Sequence, residues 1–372
     1  MNFSILLFTL CTATLLGSPA HAAPKVRPNS LGPSDIGYVE GRIISLDRVT
    51  SVARVQLEDG GVVEATTGTP LPDEMETPLP PFEVGDRVEL YYSPDPEGGR
   101  NYAVADWVRR PALGWLLGLF LLVSVVIGRS KGLRAFLATG ASLAIAIGFV
   151  VPTILAGWNP VLVSLIGTGG ILLLAIYFVH GVTWSTTAAV VGTFIAILAT
   201  MLLGILFTDL AHLTGFGSEE AMYINSGAEQ VNLQGLLLAG LLIGALGALT
   251  DVTIVQASVI RELAHVNPTF GLGELYRRGM SVGLDHIGSL VDTLVLAYTG
   301  AALPLLVLLN LNDLSFARAV NLELIATEVV HTLVGAIGLI LAVPVTTFLA
   351  AFLFRGDRLP LTEGELEHGH NH

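Results

Sequence analysis

From Pro111 onward, long apolar stretches alternate with short polar loops almost to the end of the chain. They run near residues 111–128, 133–156, 160–180, 182–207, 234–260, 284–309 and 324–354. About 20 apolar residues are needed for a helix to cross a bilayer. The pattern therefore predicts a transmembrane helical domain over residues 111–354 with about seven transmembrane helices. Pro111 suits the first helical position, and the last span is long enough to bend at Pro344. Residues 23–110 have a different period. "YVEGRIISL", "VARVQLEDGG", "VVEATT", "DRVELYYS" and "YAVADWVRR" alternate as short strands do. Asp59-Gly60 marks a hairpin and Glu97-Gly98-Gly99 a second turn. These strands predict a small β-barrel of the OB or SH3-like kind, with the Pro-rich segment 69–81 as a long loop. The fold class is mainly α: a polytopic helical membrane bundle behind a small N-terminal barrel.

Composition agrees with the pattern. The 372 residues are 52% hydrophobic and 13% charged, where soluble domains carry about 25% charged residues. A net charge of -13 argues against a nucleic-acid partner. Residues 3–17 form a short apolar run, followed by Pro19 and Ala20-His21-Ala22, so residues 1–22 read as a signal peptide cut before Ala23. The single cysteine, Cys11, lies inside it. A mature chain without cysteine has no disulfide, thiolate metal site or cysteine nucleophile.

An exported barrel at residues 23–110 fixes the topology, and the positive charges agree. Arg129, Lys131 and Arg134, then Arg261, Arg277 and Arg278, then Arg355 and Arg358 fall on the cytoplasmic side. The outer loop 208–233 holds Asp209, Glu219, Glu220 and Glu229 and no Lys or Arg. Arg109 and Arg110 stand against this bias. The expected location is a bacterial inner membrane, crossed several times, with the tail 355–372 in the cytoplasm. His368, His370 and His372 in that tail read as a solvated segment.

Polar residues inside the spans are the candidate chemistry. A charge at the bilayer centre costs about 2.5–3.5 kcal/mol on insertion scales, so such groups face a bundle interior or water. Asp251 shares one helical stripe with Gly240, Gly244, Gly247, Ser258 and Glu262. The glycines suit close helix packing. In the sixth span Asp285, Gly288, Ser289, Asp292 and Thr299 share a face, beside His286, Thr293 and Gly300. Asp285 and His286 stand near the expected cytoplasmic boundary, and Asp292 lies about two turns deeper. In the seventh span Glu328 and His331 are three apart, in line with Gly335 and Gly338. An ion pair between Asp292 and His331 near mid-depth is expected if these spans are antiparallel neighbours. Between the fifth and sixth spans, "RELAHVNPTFGLGELYRRG" suggests an interfacial or re-entrant helix.

The blocks "GLLLAGLLIGALGALTDVTIVQ", "ELAHVNP", "DHIGSLVDTLVLAYTGAALPLL" and "VGAIGLILAVPVTT", in this order and spacing, resemble the YibE/YibF family of bacterial membrane proteins. The resemblance runs from about the first span to the last. It implies a multispanning inner-membrane protein, suggested to be a permease without an established substrate. Its marked positions correspond to Asp251, Asn267, Pro268, Asp285, Pro304, Asn310 and Glu328. The family pattern often has an acid at Thr250, Arg at Leu284, Asn at Asp292 and Arg at His331. Against that pattern the polar face of this chain lacks two bases and gains one acid, which favours cations or protons over anions.

The expected function is thus a transporter or permease, ion- or proton-coupled, with Asp251, Asp285, His286, Asp292, Glu328 and His331 along its pathway. A membrane scaffold that binds a protein partner through the barrel is the alternative. A membrane-embedded metal-dependent enzyme using Asp251, Asp292, Glu328 and His331 is a third. No phosphate-binding loop is present and no cofactor is implied. Partners are the lipid bilayer, a small solute or ion, and another copy or a second protein.

Overall fold

A computed structural model describes residues 37–67, 82–95, 99–227, 231–311 and 315–355. The expected signal peptide, the Pro-rich loop 69–81, the turn residues Glu97 and Gly98 and the tail from residue 356 lie outside them. The chain divides into two compact units, one of barrel and first helix up to Val126 and one from Ile127 onward.

In the first unit, strands β1 (Gly37–Asp47), β2 (Val52–Leu57), β3 (Val62–Thr66), β4 (Arg87–Asp95) and β5 (Gly99–Trp107) close into a barrel. The order β1-β2-β3-β5-β4, with β3 and β5 parallel, decides for the OB arrangement over the SH3-like one. Alternation works as period 2 requires. Ile43, Val55, Val88 and Leu90 point inward and are buried, and Phe82 packs on Trp107 with ring centroids 4.3 Å apart. The Asp59-Gly60 hairpin forms: Gly60 has φ 87, and the Asp59 carboxylate accepts from the Gly61 amide at 2.9 Å. Asp86 holds the rim, accepting at 3.0 Å from both the Glu83 amide and the Trp107 indole.

Helix α1 (Arg110–Ile145) starts two residues after β5. Its first turn is tied to the barrel by ion pairs of Arg110 with Glu40 and Arg109 with Asp106. With a π-helical turn at Ala146–Val150 and α2 (Val151–Leu155), it forms a helical run of 46 residues. That is about 69 Å at 1.5 Å per residue, twice a bilayer core. Arg129, at φ 49 and ψ -132, breaks it where the sequence expected the first two spans to separate.

The second unit continues with α3 (Pro160–His180), α4 (Trp184–Leu210), α5 (Glu219–Gly227), α6 (Leu233–Val266), α7 (Leu272–Ala301), α8 (Leu303–Leu311), α9 (Phe316–Val320) and α10 (Glu323–Phe354). Six helical segments are long and apolar enough to cross a membrane, counting the 46-residue run once. Counting it as two about Arg129 gives the expected seven. Helices α4, α6 and α10 pack on one another, α7 lies against α10 and α6, and α3 against α6. Starts follow local chemistry. Asn159 accepts from the Val161 and Leu162 amides ahead of Pro160. Thr183 and Thr186 form a capping box. Asn232 accepts from the Gly235 amide.

Two boundaries differ from the sequence reading. The expected sixth span, 284–309, starts twelve residues earlier, at Leu272, and breaks at Ala302 before Leu303-Pro304. The segment read as an interfacial helix is divided between the ends of α6 and α7. Between them, Asn267 Oδ1 accepts from the Thr269 amide at 3.1 Å and its hydroxyl at 2.6 Å, closing a tight turn at Pro268. Glu274 bridges Arg277 and Arg278 and carries helix α7 through the charged stretch. Helix α10 is continuous through Pro344.

Candidate functional site

Inside the bundle, polar contacts are short and uncharged. Thr193 Oγ1 of α4 lies 2.6 Å from Thr253 Oγ1 of α6. Gln256 of α6 donates to the Gly279 carbonyl of α7 at 2.8 Å and to Thr347 Oγ1 of α10 at 2.7 Å. Close backbone approach makes room for these groups. A Cβ on Gly338 would collide with Thr200, one on Gly192 with Thr346, and one on Gly283 would sit 2.5 Å from Val343.

Two glutamates and a histidine gather at the end of the bundle where α5 lies. Glu328 and His331 stand one turn apart on α10 and line a cavity of 310 Å³. Glu220 of α5, Gly217, Ser218 and Gly240 of α6 complete its polar and small-residue wall. A second cavity of 460 Å³ adjoins it at the α7–α8 break, sharing Gly217, Ser218, Glu220 and Glu328 and adding Pro304. The His331 ring hydrogen-bonds the Leu237 backbone, while Nε2 is buried with no partner among the described residues. Tyr298 of α7 lies within electrostatic range of Glu328, its hydroxyl 2.7 Å from where a Cβ on Gly244 would be. A nitrogen lone pair in a cavity that two carboxylates also line can accept from a small cationic donor.

Glu323 fixes the loop above the cavity. Its carboxylate accepts from the Thr214 amide at 2.6 Å, the Gly215 amide at 2.7 Å and the Thr214 hydroxyl at 2.8 Å. Gly215, at φ 84, packs against the Leu233 backbone, where a side chain would not fit.

Of the residues singled out in the sequence, Glu328, His331 and Gly240 meet in this cavity. Asp251, Asp285, His286 and Asp292 are exposed on the bundle surface and make no hydrogen bond or ion pair among the described residues. Asp292 therefore does not pair with His331, because it occupies the open face of α7. The four residues of the metal-enzyme alternative are not gathered, and no group of three or more metal-ligating side chains occurs among the described residues. Of the small-residue positions, a Cβ on Gly335 would lie 3.5 Å from Leu294 and one on Gly338 would collide with Thr200, but Gly240 and Gly247 face open space. The sequence reading missed Glu220, Tyr298, Gln256 and Glu323 as structural participants. Gln256 left one trace, an amide in an otherwise apolar run.

The long apolar helices define a multipass membrane protein carrying an N-terminal five-stranded barrel. The family model for YibE/F-like protein matches residues 116–356, well over half of the chain, and the protein belongs to that family. No curated protein and no solved structure matches it.

Proposed function

We propose that this protein is a permease-like membrane protein that admits protons or a small cation through the cavity formed by Glu220, Glu328 and His331. The observation that carries the reading is the buried, unpartnered His331 Nε2 in a cavity shared with two carboxylates. An orphaned buried nitrogen costs about 1–3 kcal/mol, so a hydrogen-bond donor that enters the cavity satisfies it. Tyr298 of α7 is the other titratable group in reach. With the barrel exported to the outside of the inner membrane and seven crossings, this cavity opens outward and the C-terminus is cytoplasmic. The Thr193–Thr253 and Gln256–Thr347 contacts supply an uncharged polar route deeper in the bundle.

The test is proton uptake into proteoliposomes loaded with a pH-sensitive dye and driven by an imposed membrane potential. Uptake by the wild type should exceed that of empty liposomes, and Glu328→Gln and His331→Ala should each cut it at least tenfold. If wild type and empty liposomes take up protons equally, and ammonium and alkali cations leave the melting temperature of wild type and His331→Ala alike, the cavity is not a cation site. A second reading, a scaffold that presents the barrel to another protein, draws on the two-residue joint between β5 and α1.

A further inference from the structure

Asp285, His286, Gly288, Ser289 and Asp292 occupy the exposed face of α7. Glu274, Arg277 and Arg278 form a network in the first turns of that helix, and the cost of charge in hydrocarbon puts the membrane edge there. The next 20 or so residues cross the hydrocarbon. Asp285 and Asp292 then lie about 10 Å and 21 Å beyond Arg278 at 1.5 Å per residue, on either side of the midplane. Lipid is a poor cover for two carboxylates and an imidazole at that depth. None of the three has a polar partner among the described residues. Residues 111–128 of α1 offer only Trp115 and Ser124 as hydrogen-bonding side chains, and no base.

We infer that this face of α7 packs against α7 of a second copy of the chain. Copies in one membrane are related by an axis along the membrane normal, so each residue meets partners within about one helical turn of its own depth. A two-fold contact is reciprocal: where residue i meets j, j meets i. Asp285 and His286 differ in depth by about 1.5 Å and in direction by about 100°. Asp285 of each copy therefore comes opposite His286 of the other, and the face is complementary to itself: a carboxylate acceptor meets an imidazole N–H donor at both ends of the two-fold. One turn deeper, Ser289 supplies a hydroxyl for the opposing Asp292, and Gly288 lets the backbones approach. The contact leaves the Glu220, Glu328 and His331 cavity untouched, so it stands whether or not the protein conducts cations.

Cysteine cross-linking in native membranes tests the contact. In a Cys11→Ser background, Ser289→Cys should oxidise to a disulfide-linked species of twice the monomer mass. Leu341→Cys is the control: it is exposed on α10, near the level where Val343 meets Gly283. Its yield should be at least tenfold lower. His286→Asp in the Ser289→Cys chain sets acid against acid and should abolish the cross-link. Adding Asp285→His, which swaps the pair, should restore it. Native mass spectrometry of unmodified protein in nanodiscs should show two copies, which guards against a variant that misfolds. A monomer in nanodiscs together with no cross-link overturns the proposal. In that case, labelling of Ser289→Cys by water-soluble maleimide indicates a water-lined face, and protection from it indicates cover by the chain's own helices.

Discussion

The side-chain amide of Gln256 lies 2.8 Å from the backbone carbonyl of Gly279, and that bond fixes where α6 meets α7. The contact depends on Gly279 having no side chain, since a Cβ there would collide with Ile260 and come within 3.0 Å of Thr347. The amide also donates to Thr347, so one buried side chain links three helices.

Gln256→Leu removes both interhelical hydrogen bonds, while the Thr347 hydroxyl keeps its bond to the Val343 carbonyl. Each lost bond contributes about 0.5–1.5 kcal/mol. Thermal unfolding of detergent-purified protein should show a clear drop in melting temperature. Val255→Leu, one residue away on the exposed side of α6, should leave the temperature within about a degree of wild type.

Glycine substitutions should separate by neighbour rather than by position in a stripe. Gly338→Val and Gly192→Val drive a branched side chain into Thr200 and Thr346 respectively. Overpacking of this kind costs about 1–3 kcal/mol or more, and folded yield should fall sharply. Gly240→Ala and Gly247→Ala meet open space and should express at wild-type levels in fluorescence-detected size exclusion.

Glu323→Ala removes the acceptor shared by Thr214 and Gly215. Hydrogen bonds to a charged group contribute about 1.5–3 kcal/mol. The loop before α5 should then open locally, and limited proteolysis near Phe216 should accelerate while the core melting temperature changes little. Glu323→Gln, which keeps one acceptor oxygen, should fall between the two.

Acid stability of the barrel should depend on Asp86. The Glu83 amide, and after it the Trp107 indole N–H, hold its carboxyl below the ordinary value. A depressed folded value means the stabilisation is complete above the unfolded value, near 3.9, and is lost as pH falls through the folded one. Asp86→Asn should be the less stable protein at pH 7, with the gap closing below about pH 4. Unfolding followed by Trp107 fluorescence, with Trp115, Trp158 and Trp184 changed to Phe, measures the gap directly.

The barrel was legible because period-2 alternation and Asp59-Gly60 are local signals, and the helices because apolar length is one too. The extensions of α6 and α7 were not. Glu262, Arg277 and Arg278 read as the polar connection between two helices, yet Glu274 pairs with the arginines and the helix continues through them. Glu328 and His331 could be grouped from their spacing alone. Glu220 and Tyr298 join them from α5 and α7, and no periodicity encodes which helices become neighbours. The glycine stripe of α6 shows the same limit. Spacing aligned Gly240, Gly244 and Gly247 on one face, while the tightest contacts in the bundle form at Gly192, Gly279 and Gly338.

Two residues separate β5 from α1, and ion pairs bridge that joint, Arg109 to Asp106 and Arg110 to Glu40. Two extended residues reach only about 7 Å. The barrel therefore has no leash. It cannot swing away on a linker from the start of the first long apolar helix. A tilt or turn imposed on the barrel passes directly into the first helix, because there is no slack in which to lose it.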